Sequence, residues 1–152
     1  MIVLFSVSFG KGGVPRLQPY VKRCLKKASR EGTIDAAICS GGRADLLILP
    51  PGASLREGGG GLVLAVGRDP APGTRSVSCG LGYGDDLTLS SIGAESVMLA
   101  LQADIPALNG VWLEPQEIPI TLDAPAEPEA VLAAAGAMLL LGADASSGLR
   151  LP

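Results

Sequence analysis

Short apolar segments separated by glycine and proline run through the first half of the chain. Residues 2–7 are apolar and rich in β-branched side chains, which is typical of a buried strand. Near-continuous apolar segments follow at residues 34–39, 46–49 and 62–66, and a weaker one lies at residues 76–79. Because such segments suit strands that are covered on both faces, the pattern predicts a small, mostly parallel sheet.

Between the first two of these segments the apolar spacing becomes that of an amphipathic helix. The apolar face of this helix consists of Leu17, Val21, Cys24, Leu25 and Ala28. The opposite face is basic and consists of Lys22, Arg23, Lys26, Lys27 and Arg30. Gly32 follows, and it predicts the end of the helix.

After residue 84 apolar and polar residues alternate, as they do in half-buried strands. Alternate residues of segment 97–105 form one apolar face, and residues 87–92 form another candidate strand. Ile118 and Ile120 begin the apolar face of a further strand. We therefore expect an antiparallel β meander after the parallel sheet.

A hairpin signal lies inside this meander. Asn109-Gly110 favours a two-residue type I′ turn, because both central positions of that turn need a positive φ. In such a hairpin Leu108 and Val111 would face each other across the two strands.

The chain closes with a predicted helix over residues 128–141. Glu127 and Glu129 lie at its amino end, where the helix dipole favours negative charge, and Gly142 suits its carboxyl end. This helix is apolar around its whole circumference, so we expect it to be buried. A sheet covers only part of a helix, and we therefore expect self-association, with a second copy of the chain supplying the remaining cover.

The composition is that of one folded α/β domain over residues 1–152. Apolar residues make up 47% and charged residues 18% of the chain, which argues against disorder. The net charge of −3 argues against nucleic acid as a partner, since nucleic-acid-binding domains usually carry a basic surplus. The apolar segment 130–141 is shorter than the roughly 20 residues that span a bilayer. The amino terminus lacks the basic segment of a signal peptide, so we expect a cytoplasmic protein without a membrane segment.

The chain contains no histidine, which removes several kinds of site from consideration. A Ser-His-Asp triad, a histidine general base and a histidine metal ligand are all excluded. The three cysteines do not show the spacing of a zinc site. Cys24 and Cys79 are therefore interpreted as small apolar core residues.

A glycine-rich segment stands between the first predicted strand and the first predicted helix, where phosphate-binding loops occur. Its candidate nucleotide-binding residues are Gly10, Lys11, Gly12 and Gly13. A complete phosphate-binding loop has a hydroxyl residue after the lysine to hold Mg²⁺, and Gly12 occupies that position instead. The alternatives are a residual ATP site and an ordinary glycine turn, and the missing hydroxyl favours the turn.

Asp85 and Asp86 follow a second glycine-rich segment and are candidate ligands of Mg²⁺. The alternative is a turn in which both carboxylates accept hydrogen bonds from the backbone, and the surrounding residue types favour it. We therefore expect no cofactor, with ATP and Mg²⁺ as the alternative.

The basic face of the first helix is a candidate site for phosphate or nucleic acid. Because the chain as a whole is acidic, a solvated helix face is the favoured interpretation.

Several segments, taken in order, resemble the central domain of Mur ligases, the ATP-dependent amide-forming enzymes of peptidoglycan synthesis. Gly10 and Lys11 match the GTNGKT loop of that family, and Asp69 and Pro70 match the NADDP that ends one of its strands. The resemblance implies an α/β fold with a nucleotide site at the glycine loop.

The resemblance continues into the second half of the chain. Residues 76–80, with Asp85 and Asp86 beyond them, resemble the VxTYG and AD segments of the family. Residues 118–122 and 130–142 resemble its LPLPG strand and the helix that follows. Residues 79–120, with the pattern LxLQxxIPxLNGxxxEPQEIP, also resemble a segment of small uncharacterised bacterial proteins.

The chain departs from the Mur pattern at several positions, and the gap from its loop to its NADDP-like strand is far shorter than in a ligase. Gly12 replaces the loop threonine, and Val66 and Arg68 replace the asparagine and first aspartate of NADDP. The family's histidine-asparagine pair before the last helix is absent. The resemblance therefore implies a shortened relative that acts as a non-catalytic accessory or binding domain. The alternatives are a residual nucleotide-binding protein or enzyme and a structural homo-oligomer.

Overall fold

A computed structural model describes residues 4–10, 17–39, 44–53, 61–68, 75–82 and 84–152. Its helices are α1 (Leu17–Arg30) and α2 (Pro128–Leu140). Its strands are β1 (Phe5–Phe9), β2 (Ala36–Ile38), β3 (Leu46–Leu49), β4 (Leu62–Val66), β5 (Ser76–Cys79), β6 (Leu87–Ile92), β7 (Ser96–Leu101), β8 (Ile105–Pro106), β9 (Trp112–Leu113), β10 (Gln116–Leu122) and β11 (Leu149–Leu151).

One sheet of nine strands runs through the described part of the chain, in the order β11-β10-β7-β6-β5-β4-β3-β1-β2. The neighbours from β2 to β6 are parallel, whereas β7 is antiparallel to both β6 and β10. β8 and β9 form a separate antiparallel hairpin. The predicted α/β fold, with a mostly parallel sheet, an antiparallel meander and a buried last helix, is confirmed.

The central parallel strands β3 and β4 are apolar on both faces because both faces are covered. Leu46 and Ile48 of β3 belong to the main core, which also contains the buried faces of α1 and α2. Leu49 of the same strand belongs to a smaller cluster with Val63 and Ala53. Successive side chains of a strand point to opposite faces, so the two clusters lie on opposite sides of the sheet.

Helix α1 buries the five apolar residues that the spacing predicts. It ends in a Schellman motif, in which the Gly32 N–H donates to the Ser29 carbonyl and the Thr33 N–H donates to the Ala28 carbonyl. Gly32 has a φ of 78°, a conformation that glycine adopts without strain. The predicted helix and its end are therefore both confirmed.

Helix α2 is buried at every residue from 130 to 140, as predicted, and it also ends in a Schellman motif at Gly142. The cover comes from the same chain, because α2 packs on β3 to β6, against α1 and against β11. The exposed apolar face that motivated a second copy is therefore not present on α2. Self-association through this helix stays a prediction, without that argument to support it.

The turn at Asn109-Gly110 differs from the predicted hairpin. Ala107, and not Leu108, lies opposite Val111, and its N–H donates to the Val111 carbonyl at 2.9 Å. No described residue other than glycine has a positive φ, so Asn109 does not have the conformation of a type I′ turn. The predicted two-residue turn is wrong, and a three-residue loop with left-handed Gly110 replaces it.

One strand boundary differs from expectation, and one strand was not predicted. The strand predicted over residues 97–105 ends at Leu101, and Ile105 belongs to β8 instead. The last residues of the chain form β11, which pairs in parallel with β10 at the edge of the sheet. Buried Leu149 and Leu151 thus extend the core from the sheet edge.

Candidate functional site

Gly10 follows β1 at the switch point of the parallel sheet. From β1 the chain turns to β2 on one side, while β3 lies on the other, and such crevices are where α/β sheets bind ligands. The Gly10 N–H, however, donates to the Ile48 carbonyl at 2.8 Å. A Cβ on Gly10 would lie 2.7 Å from Cδ1 of Leu49. The glycine thus allows β1 to approach β3, and its N–H is not free for a phosphate.

The other candidate nucleotide-binding residues, Lys11, Gly12 and Gly13, lie outside the described residues. The nucleotide site therefore stays a prediction that only the position of Gly10 supports.

Asp85 and Asp86 use their carboxylates to hold a loop. Oδ2 of Asp85 accepts the Gly82 N–H at 3.1 Å, and Oδ2 of Asp86 accepts the Ser78 N–H at 3.0 Å. In the described part of the chain, no group of three or more Cys, Asp and Glu side chains is arranged to hold a metal ion. The geometry supports the interpretation of a turn, and Mg²⁺ binding stays a prediction.

The described residues between the parallel neighbours β5 and β6 include no helix. β6 begins beside the end of β5, where Cys79 pairs with Leu87, and it continues beyond that end. Two parallel strands that lie side by side along their length need a long crossover between them. Because β5 and β6 overlap at only one residue pair, a short loop is enough to join them. The carboxylates of Asp85 and Asp86 stabilise this loop by accepting hydrogen bonds from its backbone and from β5.

The cysteines of the core are not suited to nucleophilic chemistry. Burial raises the pKa of the Cys79 thiol strongly, and the nearby carboxylates of Asp85 and Glu129 raise it further. Burial also raises the pKa of Cys24 to about 11. Because the thiolate is the reactive form, both side chains are inert, as expected of core residues.

A groove of 730 Å³ lies between α1 and the edge strand β2. Its α1 wall carries four basic residues, Lys22, Arg23, Lys26 and Arg30. None of the four forms a salt bridge with a described residue. By contrast Lys27, which is not part of the groove, lies 3.5 Å from a carboxylate oxygen of Asp123. The groove therefore concentrates positive charge that carboxylates of the described residues do not neutralise.

Two of these cations are placed by aromatic rings. The ammonium of Lys22 lies 5.6 Å from the centre of the Phe9 ring, and the guanidinium of Arg23 lies 5.4 Å from that of Tyr20. A cation–π contact restricts the side chain without removing its charge. The two contacts therefore restrict where these side chains lie along the groove.

The other wall of the groove is an open strand edge. The Asp35 carbonyl and the Cys39 N–H bond to β1, at 3.0 and 2.8 Å. Because hydrogen bonding alternates along a parallel ladder, Ala36 and Ile38 direct their backbone groups away from β1. The Ala36 carbonyl accepts the Ser29 hydroxyl at 3.3 Å. In the described part of the chain, β2 has no strand on its outer side.

The sequence showed the basic face of α1 but not the feature that makes it a site. An amphipathic helix with a basic face is ordinarily a solvated surface. Its position beside an open strand edge depends on the order of strands in the sheet, and no local pattern reports that order.

No family model, curated protein or solved structure matches this chain. The likeness to Mur ligases therefore rests on the sequence segments alone. No helix in the ranges that the structure describes has the length and apolar character needed to cross a membrane.

Proposed function

We propose that this chain is a non-catalytic binding domain whose partner occupies the basic groove between α1 and β2. The observation that carries the proposal is the row of cations without described carboxylate partners beside an open strand edge. A chain with a net charge of −3 that concentrates four cations on one groove will attract an anionic partner there.

The chemistry of the remaining side chains supports a non-catalytic role. The chain has no histidine, and the thiols of Cys24 and Cys79 are buried and protonated. Asp85 and Asp86 are engaged with backbone N–H groups. These two thiols and two carboxylates are therefore not available for nucleophilic or acid–base catalysis.

The relationship to the Mur ligase central domain and a cytoplasmic location are further parts of this proposal. The first rests on the matching segments described above. The second is supported by the three cysteines, which are all free thiols, as is usual in a reducing compartment.

Binding of a labelled anionic peptide to two charge variants tests the proposed function. Lys26→Glu reverses a charge inside the groove, and Arg75→Glu makes the same change at an exposed residue outside it. Fluorescence anisotropy with a fluorescein-labelled oligoglutamate should show weaker binding to Lys26→Glu and unchanged binding to Arg75→Glu. Equal affinities of both variants and the wild type would refute the assignment of the groove.

The second candidate function is nucleotide binding at Gly10, Lys11, Gly12 and Gly13. The observation that favours it is the position of Gly10 at the switch point between β1 and β3. Under the leading proposal, ATP with Mg²⁺ neither stabilises the protein in a thermal-shift assay nor is hydrolysed. A phosphate release that disappears in Lys11→Ala would establish the second candidate in its place.

A further inference from the structure

We propose that the groove binds an acidic segment in extended conformation, which adds to the sheet as a strand beside β2. This inference rests on the proposed function and specifies its partner. Extended peptides commonly bind in this way, with main-chain hydrogen bonds supplying affinity and alternate side chains supplying specificity.

The edge of β2 provides the main-chain part of the site. Ala36 and Ile38 direct their backbone groups outward, and Ala37, which lies between them, is exposed. An incoming strand would use these groups as the next rung of the parallel sheet. The Ala36 carbonyl already accepts the Ser29 hydroxyl, and its second lone pair is available to an incoming N–H. Open strand edges of this kind are templates for such pairing.

Helix α1 provides the side-chain part of the site. Lys22, Lys26 and Arg30 follow one another at intervals of four residues, which is about 6 Å along a helix. Alternate side chains of an extended strand on one face are about 6.7 Å apart. A segment with acidic residues at every second position therefore matches this row of cations in both charge and spacing.

A second copy of the chain does not match the groove. The other edge of the sheet is β11, which carries no acidic side chain that could match the cations of α1, and its Arg150 already pairs with Asp123. Pairing of two β2 edges would oppose two basic rows. The partner is therefore an acidic segment of another protein.

Single-stranded nucleic acid matches the groove less well than a peptide. Proteins that bind such strands combine positive charge with aromatic side chains on which bases stack. The described residues that line this groove include no aromatic side chain, and the nearby rings of Phe9 and Tyr20 are in contact with Lys22 and Arg23. A peptide uses the open strand edge, which a nucleic acid does not require.

The test uses short fluorescein-labelled peptides and anisotropy with the full chain. The first peptide alternates Thr and Glu, and the second has the same composition with its Thr and Glu residues in two blocks. Two further versions of the first peptide carry backbone N-methyl groups, on the Thr residues in one and on the Glu residues in the other. In a strand, the N–H groups of one alternating set face one neighbour, so only one of these two versions should lose binding.

The alternating peptide should bind more tightly than the block peptide. One N-methylated version should lose affinity by at least about tenfold, because several main-chain bonds are removed. Lys26→Glu should lower affinity roughly five- to tenfold, and Arg75→Glu should leave it unchanged. Ala36→Pro, which removes an outward N–H without changing charge, should weaken the alternating peptide more than the block peptide.

The outcomes separate this inference from the proposed function on which it rests. The first outcome is that the alternating peptide, its two N-methylated versions and the block peptide all bind equally, while Lys26→Glu still weakens their binding. In that case the groove binds anions but not by strand addition. If a labelled oligothymidylate binds more tightly than every peptide and loses affinity in Lys26→Glu, the partner is a nucleic acid and the peptide assignment is wrong. If no probe binds, the proposed function fails as well.

Discussion

Ser78 and Asp86 exchange two hydrogen bonds across the loop between β5 and β6. The Ser78 N–H donates to Oδ2 of Asp86, and the Asp86 N–H donates to Oγ of Ser78, each at 3.0 Å. Ser78 is one of the buried polar residues of the described chain. The pair satisfies two backbone donors where the parallel sheet meets the antiparallel meander.

Replacement of Asp86 tests whether that carboxylate is structural. Asp86→Ala should lower the free energy of unfolding by about 1–3 kcal/mol, because the part-buried Ser78 N–H loses its acceptor. Asp86→Asn should cost less, since the amide oxygen still accepts that bond. Urea denaturation measures both. A wild-type stability that rises with Mg²⁺ and is lost equally in both variants would favour a metal ligand.

Gly61 permits close packing between β3 and β4. A Cβ at this position would overlap the backbone carbonyl oxygen of Asp45, which already accepts the Leu62 N–H. We expect Gly61→Ala to lower the free energy of unfolding by about 2 kcal/mol or more. Gly84→Ala is the matched control, because nothing lies within 4 Å of its Cβ, and it should change stability by less than about 0.5 kcal/mol. Equal urea midpoints for the two variants would contradict the described contact.

Leu140 distinguishes burial within one chain from burial in a dimer. Its side chain is fully buried in the single chain, so an aspartate there is an unpaired charge in the core. Leu140→Asp should destabilise the protein by about 4 kcal/mol or more and abolish its cooperative thermal transition. Trp112→Asp, at a residue that is 63% exposed, should fold normally. A folded Leu140→Asp monomer from a dimeric wild type would instead establish self-association through α2.

Asp123 links stability to acid pH. A hydrogen bond from Arg150, with Nε 2.7 Å from Oδ1, lowers the pKa of Asp123, and Lys27 contributes less. A carboxyl whose pKa is lowered by folding stabilises the protein above its ordinary pKa, and this stability is lost as the pH falls through the lowered value. Arg150→Ala should raise the pKa of Asp123 toward that of an ordinary aspartate, as measured by NMR titration. Lys27→Ala should raise it less, and a larger effect of Lys27→Ala would contradict the assigned order of causes.

The parts of the fold that follow from local pattern were predictable. The buried face of α1 and the bounds of β3, β4, β5 and β6 match the apolar segments of the sequence. Each of these elements is specified by the spacing of its own side chains, which a single sequence displays. The burial of α2 was also predictable, because its apolar residues surround the helix axis.

Features that depend on distant partners were not predictable. β11 has only three residues, and its strand conformation depends on pairing with β10. The turn at Asn109 differs from expectation because its side chain accepts the Val111 N–H at 3.1 Å, and the neighbouring Leu108 N–H donates to Leu140 at the end of α2. The groove likewise depends on the position of β2 at the sheet edge, which only the assembled topology defines.

Amide hydrogen exchange of β2 is the most direct test of strand addition in the groove. Ala36 and Ile38 direct their N–H groups outward, whereas the N–H of Ala37 lies between strands β1 and β2. Saturation with the alternating Thr and Glu peptide should slow exchange at Ala36 and Ile38 and leave Ala37 nearly unchanged. Unchanged exchange at Ala36 and Ile38 in the peptide-saturated protein would contradict the account.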